Sequence, residues 1–205
     1  MHHARNIDKL ERDRQCAAAE AIPKAKHQPT FRFYSLYDKV YRSDVLQHAY
    51  NLVRQNKGGP GLDGETFASI EAGIGKTAYL KEIQKTLKDK TYRATPIKRV
   101  EIPKPNGETR PLGIPCIKDR IVQMAVKFVI EPIFEADFSP HSYGFRPKRS
   151  AHQAMDDIKD SLLKGHIDVI DADLSKYFDM IPHDKLLKTV AERIVDKQLL
   201  SLLRN

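Results

Sequence analysis

The chain has 205 residues, 40% of them apolar, with 35 Lys or Arg against 27 Asp or Glu and a formal net charge of +8. This apolar share excludes a wholly disordered chain and supports a real core. No apolar run reaches the roughly 18 residues of a membrane span, and the N-terminus lacks the apolar centre of a signal peptide. Only two cysteines occur, Cys16 and Cys116, without metal-ligand spacing, and the His2-His3 pair has no partner ligands nearby. These features predict a reduced, cytoplasmic setting with no membrane and no structural zinc. A pI near 9.4 points towards a polyanionic partner, of which nucleic acid is the commonest, without deciding it.

In chain order, residues 1–30 are polar and basic, with Arg5, Lys9, Arg12, Arg14, Lys24 and Lys26. They read as an extension, either a solvated tail or a binding arm. Ser43 is placed to cap a helix whose Leu46, Ala49, Tyr50 and Val53 share one face and which stops near Asn56. The run NKGGPGLDGET that follows is too rich in Gly and Pro to be anything but a loop. The string AGIGKT, Ala72 to Thr77, looks like the end of a phosphate-binding loop. That loop needs glycine at position 70, which is Ile70, so the reading fails and a polar helix start remains.

From Thr77 a helix is expected with Leu80, Ile83 and Leu87 inward. From Thr91 the period changes to two. Val100 and Ile102 alternate with charges, and Pro105-Asn106-Gly107-Glu108 turns the chain back into TRPLGIP, which predicts a β-hairpin with an Asn-Gly tip. Lys104 and Arg110 fall on opposite arms near that tip. Residues 118–134 form an amphipathic helix with Pro132 in its late turn. The loop SPHSYGFRPKRS leads to a helix capped by Ser150 and closed at Gly165. IDVIDADL then reads as a strand, and Asp184 opens a helix bearing Leu187, Val190 and Ile194. The segment from Asp196 to Asn205 starts like a helix and carries no stop signal, so the chain reads as cut short.

The strand and its continuation, IDVIDADLSKYFD, hold the chemistry. Asp171 and Asp173 are two apart and so face one side of a strand. Carboxylates there are costly to bury unless paired or metal-bound. Hard anionic oxygens at a strand end are what Mg2+-dependent phosphoryl transfer requires. The plain alternative is a solvated strand end.

Read together, NKGGPGLDG, IPKPNGETRPLGIP, DRIVQMAVKFVIEPIFEADFSPHSYGFRPKRSAHQA and DADLSKYFDMIPHDKL resemble the group II intron reverse transcriptase family, from about Ser43 to about Leu187. The resemblance implies an α+β fold: reverse-transcriptase-like fingers and a partial palm, helix-rich, with a β-hairpin and the start of an antiparallel palm sheet. It divides the chain into a basic extension (1–42), fingers with lid loop and hairpin (43–116), and an incomplete fingers/palm segment (117–205).

It also implies roles for single residues. Asp173 matches the catalytic aspartate that binds both Mg2+ ions, with the backbone carbonyl of Leu174 beside one of them. Phe178 matches the aromatic gate that excludes a 2′-OH. Lys104 and Arg110 match the fingers cations that hold the dNTP triphosphate, which suits two cations on a hairpin able to fold over a nucleotide. Tyr143, Phe145 and Arg146 fall in the block between fingers and palm, where they stack on or brace the template, or else pack inside the protein. Lys57 falls in the lid loop, where it meets a template phosphate or only turns the chain. Asp179 is read as structural, and Asp171 as an outer residue at best.

The implied function is that of an RNA-directed DNA polymerase. It extends a DNA primer with dNTPs on an RNA template using two Mg2+ ions, and it has intron RNA as a further partner. The second catalytic block, Tyr-x-Asp-Asp, does not follow Asp173, so the 205 residues by themselves are expected to be inactive. Two other readings stay open. One is a non-catalytic, maturase-like RNA-binding module that assists splicing. The other is the same enzyme adopted by a CRISPR system or another host role. A homodimer through the fingers face also stays open.

Overall fold

A computed structural model describes residues 25–28, 30–105, 107–174 and 177–205; the calls on residues 1–24, on Asn106 and on the Asp179 side chain lie outside what it describes. Its elements are the helices α1 (Tyr37–Val40), α2 (Ser43–Gln55), α3 (Phe67–Ala72) and α4 (Gly75–Lys88), the strands β1 (Lys98–Pro103) and β2 (Thr109–Ile114), and the helices α5 (Ile117–Glu135), α6 (Ala151–Leu163), α7 (Tyr177–Met180), α8 (His183–Arg193) and α9 (Lys197–Arg204).

The core is a helical layer. The apolar face of α2 supplies Leu46, Ala49, Tyr50 and Val53, and α4 supplies Leu80, Ile83 and Leu87. Helix α2 packs along α5, which buries Ile117, Ile121, Val122, Ala125, Val129 and Ile133, and α4 packs on α2 in the same core. Each fully buried side chain of this size contributes about 1.5–3 kcal/mol. Phe33, Leu36 and Val40 at one end of the chain and Ile194 and Leu199 at the other join the same cluster. The 25–42 part of the basic extension is therefore docked onto the core.

Local chemistry sets the helix ends. Thr66 and Ser69 form a reciprocal capping box for α3, and Ser150 and Gln153 form another for α6. Gly165 closes α6 at a φ of +92°, a conformation open to glycine at little cost. The expected cap at Ser43 moves by one residue. Arg42 takes the extended cap position and pairs with Asp44 at 2.8 Å, which leaves Ser43 inside the helix. Helix α3 was not anticipated, although Thr66-x-x-Ser69 followed by Ile70 is a readable start signal.

The hairpin forms as expected, with Val100 opposite Leu112 and Ile102 opposite Arg110. It is the two-stranded sheet of an otherwise helical structure, so the fold class is α+β. The strand expected over IDVIDADL does not form. Residues 166–174 join no ladder, and Ile167, Val169 and Ile170 are 76, 78 and 95% exposed. A strand is held by its neighbours' hydrogen bonds, and no described segment pairs with this one.

Two buried carboxylates lock the chain's path. Asp119, in the first turn of α5, accepts from the Tyr92 hydroxyl at 2.6 Å and from the Thr95 backbone N–H at 3.1 Å. Burial and this hydrogen bond push the Tyr92 phenol well above its usual range. Asp196 accepts four backbone N–H groups, two from Leu36 and Tyr37 at the start of α1 and two from Gln198 and Leu199 at the start of α9. Burial raises its pKa, but these four donors outweigh burial and hold the carboxyl below its ordinary range.

Asp119→Ala should leave the Tyr92 hydroxyl and the Thr95 amide without their acceptor inside the protein. A loss of about 2 kcal/mol in denaturant unfolding is expected; an unchanged midpoint would show that the pair contributes nothing.

Candidate nucleotide and nucleic-acid interface

The fingers hairpin presents its cations outward. At its tip the Lys104 amide donates to the Glu108 carbonyl (2.7 Å), and the Gly107 amide donates back to Lys104 (3.1 Å), with Gly107 at a φ of +84°. The Lys104 ammonium rests on the Glu108 carboxylate at 3.0 Å. Such an exposed pair is worth only about 0–1 kcal/mol, so a triphosphate can displace it. Arg110 lies one register pair further from the tip than Thr109 and is exposed. The hairpin's root is rigid, because Asp119 grips the incoming strand at Tyr92 and Thr95 while Cys116 and Ile117 are buried at its exit.

The lid loop is seated on the same root. Gly61 lies so close to Cys116 that a Cβ there would come 2.6 Å from the Cys116 Cα, so only glycine fits. The Arg120 guanidinium donates to the Gly59 carbonyl. Lys57 sits just past the end of α2 at a φ of +48°, a left-handed position where glycine is the usual residue. Its side chain is exposed. Lys90 takes the same left-handed conformation just past α4, at a φ of +60°.

The loop between α5 and α6 separates the roles of its three singled-out residues. Arg146 turns inward. It forks onto Glu135 at 2.7 and 3.1 Å, donates to the carbonyls of Ser139 (2.6 Å) and Ser142 (2.7 Å), and lies over the Phe138 ring. Its charge is spent on bracing the loop. Tyr143 is half-buried; its hydroxyl donates to Asp157 at 3.0 Å, and Arg149 lies over its ring. His141 also reaches Asp157, at 2.6 Å. The His141 contact first and then Tyr143 lower the Asp157 pKa against burial. Phe145 alone faces out, 98% exposed at a φ of +56°. A braced loop that holds a bare aromatic ring in the left-handed region offers a stacking surface.

The segment that the resemblance makes catalytic is the most exposed part. Leu174 and Phe178 are 70 and 76% exposed, Asp171 and Asp173 are exposed, and the Phe178 ring meets Tyr177 edge-on with centroids 5.5 Å apart. Asp173, Leu174 and Phe178 make no hydrogen bond or ion pair to the hairpin among the described residues. Nor do three or more His, Cys, Asp or Glu converge on one point there as a metal cluster. The Asp173 carboxylate and the Leu174 carbonyl are hard oxygen donors of the kind Mg2+ takes, but Mg2+ needs octahedral oxygens and two ions need more than one carboxylate. Sequence reasoning missed Glu135, Asp119, Arg193 and Asp196, which hold these loops from behind. In the sequence each is one charge among others, as Asp119 between Lys118 and Arg120 or Arg193 beside Glu192, and only the contacts made in the fold single it out.

Comparison with known proteins gives the family. The family model described as "Reverse transcriptase (RNA-dependent DNA polymerase)" matches residues 102–205, half of the chain. The chain belongs to the reverse transcriptase family, in its group II intron-encoded branch. It is 39% identical to the protein YkfC of Escherichia coli (strain K12) over 87% of its own length and 48% of that protein's. It is 34% identical to the group II intron-encoded protein LtrA of Lactococcus lactis subsp. cremoris, over 83% of its length and 28% of LtrA. A putative COX1/OXI3 intron 2 protein of Saccharomyces cerevisiae (strain ATCC 204508 / S288c) is also 34% identical, over 78% of this chain and 18% of its own. The chain thus spans about half or less of the length of these relatives.

If Lys57 is kept for its side chain and not for its backbone, Lys57→Gly should stabilise the fold by up to about 1 kcal/mol in urea unfolding while weakening salt-sensitive RNA binding. Equal RNA affinity would remove the lysine from the interface.

Proposed function

We propose that these residues are the fingers and early palm of an RNA-directed DNA polymerase that extends a DNA primer on an RNA template. The observation that supports this most is the family match over 102–205, a range that contains Asp173, Phe178 five positions on, and the exposed cations Lys104 and Arg110. The reaction is in-line attack of the primer 3′-OH on the dNTP α-phosphorus with loss of pyrophosphate, in which positioning and charge neutralisation carry most of the catalysis. Magnesium would supply Lewis acidity at the phosphates, held in part by Asp173 and the Leu174 carbonyl.

In this reading the hairpin closes on the triphosphate. Lys104 leaves Glu108 for a phosphate oxygen, and Arg110 offers a planar fork to its neighbour. The Phe178 ring lies against the sugar and leaves no room for a 2′-OH. Phe145 stacks on a template base, Lys57 meets a backbone phosphate, and Arg146 keeps the loop in shape. The 205 residues carry no Tyr-x-Asp-Asp block, so polymerisation is assigned to a protein in which that block is present. The free, buried Cys116 suits a reducing cytoplasmic setting.

A second reading is supported by relatives of another description. Two Arabidopsis thaliana proteins named nuclear intron maturase, mitochondrial, are each 31% identical over somewhat under half of this chain. In that reading the lid loop and the Phe145 loop bind intron RNA without chemistry.

Primer extension by the complete protein separates the two. Asp173→Ala should abolish dNTP addition while leaving RNA binding intact, and extension by that variant at the parent rate would sink the metal assignment. Phe178→Ala should admit ribonucleotides; unchanged sugar selectivity would remove the gate.

A further inference from the structure

From Phe134 to Glu192 no described residue is buried. This stretch contains the Phe145 loop, α6, the Asp173 segment, α7 and nearly all of α8. Its fully buried neighbours are Ile133 in α5 and Arg193 and Ile194 at the end of α8; between them Phe134, Ala136 and Val190 pack partly buried against the core near either end. The position of the Asp173–Phe178 segment therefore depends on how its far end is fastened.

That fastening is specific. The side chain of Arg193 is 9% exposed, and its guanidinium lies 2.9 Å from the Asp137 carboxylate just beyond α5. Its remaining donors reach the carbonyls of Phe31 (3.2 Å), Gln28 (3.4 Å) and Ala25 (3.5 Å), and its plane lies over the Phe33 ring. Backbone bonds run from the Phe33 amide to the Arg193 carbonyl and from the Val195 amide to the Phe33 carbonyl, both 2.8 Å, in a parallel bridge between Phe33 and Ile194. Three residues later, Asp196 gives one carboxylate oxygen to the start of α1 and the other to the start of α9. Two buried charges thus tie the segment 25–37 to the end of α8.

We infer that Arg193 and Asp196 are positioning residues for nucleotide addition: through the 25–37 strap they set where α8, and with it the Asp173–Phe178 segment, stands relative to the fingers hairpin. This rests on the polymerase reading above. The hairpin is rooted on the N-terminal end of α5 through Asp119, and the strap is tied to its C-terminal end through Asp137. One helix therefore references both halves of the nucleotide site. A salt bridge and five carbonyl or amide partners resist sliding in a way that an apolar contact does not, because hydrogen bonds are lost within a fraction of an ångström.

Two mild variants of the complete protein test this. Asp196→Ser keeps a good cap for α9 but has one oxygen where four amides are served, so it releases α1. Arg193→Lys keeps the charge but loses the fork that spans Asp137 and the three carbonyls. Hydrogen exchange over 31–37 should rise in both while exchange in α5 stays put. Single-turnover dNTP addition, expressed per titrated active site, should fall about tenfold or more, as small misplacements of reacting groups do. An unchanged rate per active site overturns the inference, whether the strap loosens or not. A fall only in the number of active sites, or unfolding of both variants, also overturns it, since either marks a plain stability role. The unsubstituted complete protein run alongside tests the parent reading separately: no primer extension by it would reject the polymerase itself, whatever Arg193 and Asp196 do.

Discussion

Burial of α5 holds the molecule together because every functional loop is fastened to this one helix at a different level. Its first turn carries Asp119, which grips the strand entering the hairpin, and Arg120, which holds the lid loop at Gly59. Its middle is packed against α1 and α2 through the core that holds Ile121, Ala125 and Val129. Its last turn carries Glu135, which braces Arg146, and the residue just past it, Asp137, receives Arg193. A shift of α5 would move the hairpin, lid, template loop and strap together. Its apolar burial is large enough to prevent that, since each methylene removed from water adds about 0.8 kcal/mol.

The polar groups fall into two kinds that differ in burial. Asp119, Arg146, Arg193 and Asp196 are buried, or nearly so, and each meets several partners, so that desolvation is offset by charge-assisted bonds. Lys57, Lys104, Arg110 and Phe145 are exposed, and the Lys104 ammonium pairs with the exposed Glu108 carboxylate. The charges that hold the fold are thus distinct from the exposed cations, which the proposed polymerase reading assigns to a polyanion.

The apolar residues of the catalytic segment and of α6 show the converse. Met155, Ile158 and Leu163 on α6, and Ile167 to Ile170 beyond it, are exposed in quantity.

Much of this was legible in the sequence. Helical spacing gave α2, α4, α5 and α8; the change to period two with Pro-Asn-Gly gave the hairpin; and the ordered blocks gave the family. These signals are local, set by propensity, turn chemistry and residue identity over a few positions. What only the tertiary structure decided was non-local. It turned Arg146 into a brace and left Phe145 bare, although the two are adjacent. It made Asp196 a cap for two helices that lie 160 residues apart. It also left IDVIDADL unpaired, because a strand, unlike a helix, needs hydrogen-bond partners from elsewhere in the chain.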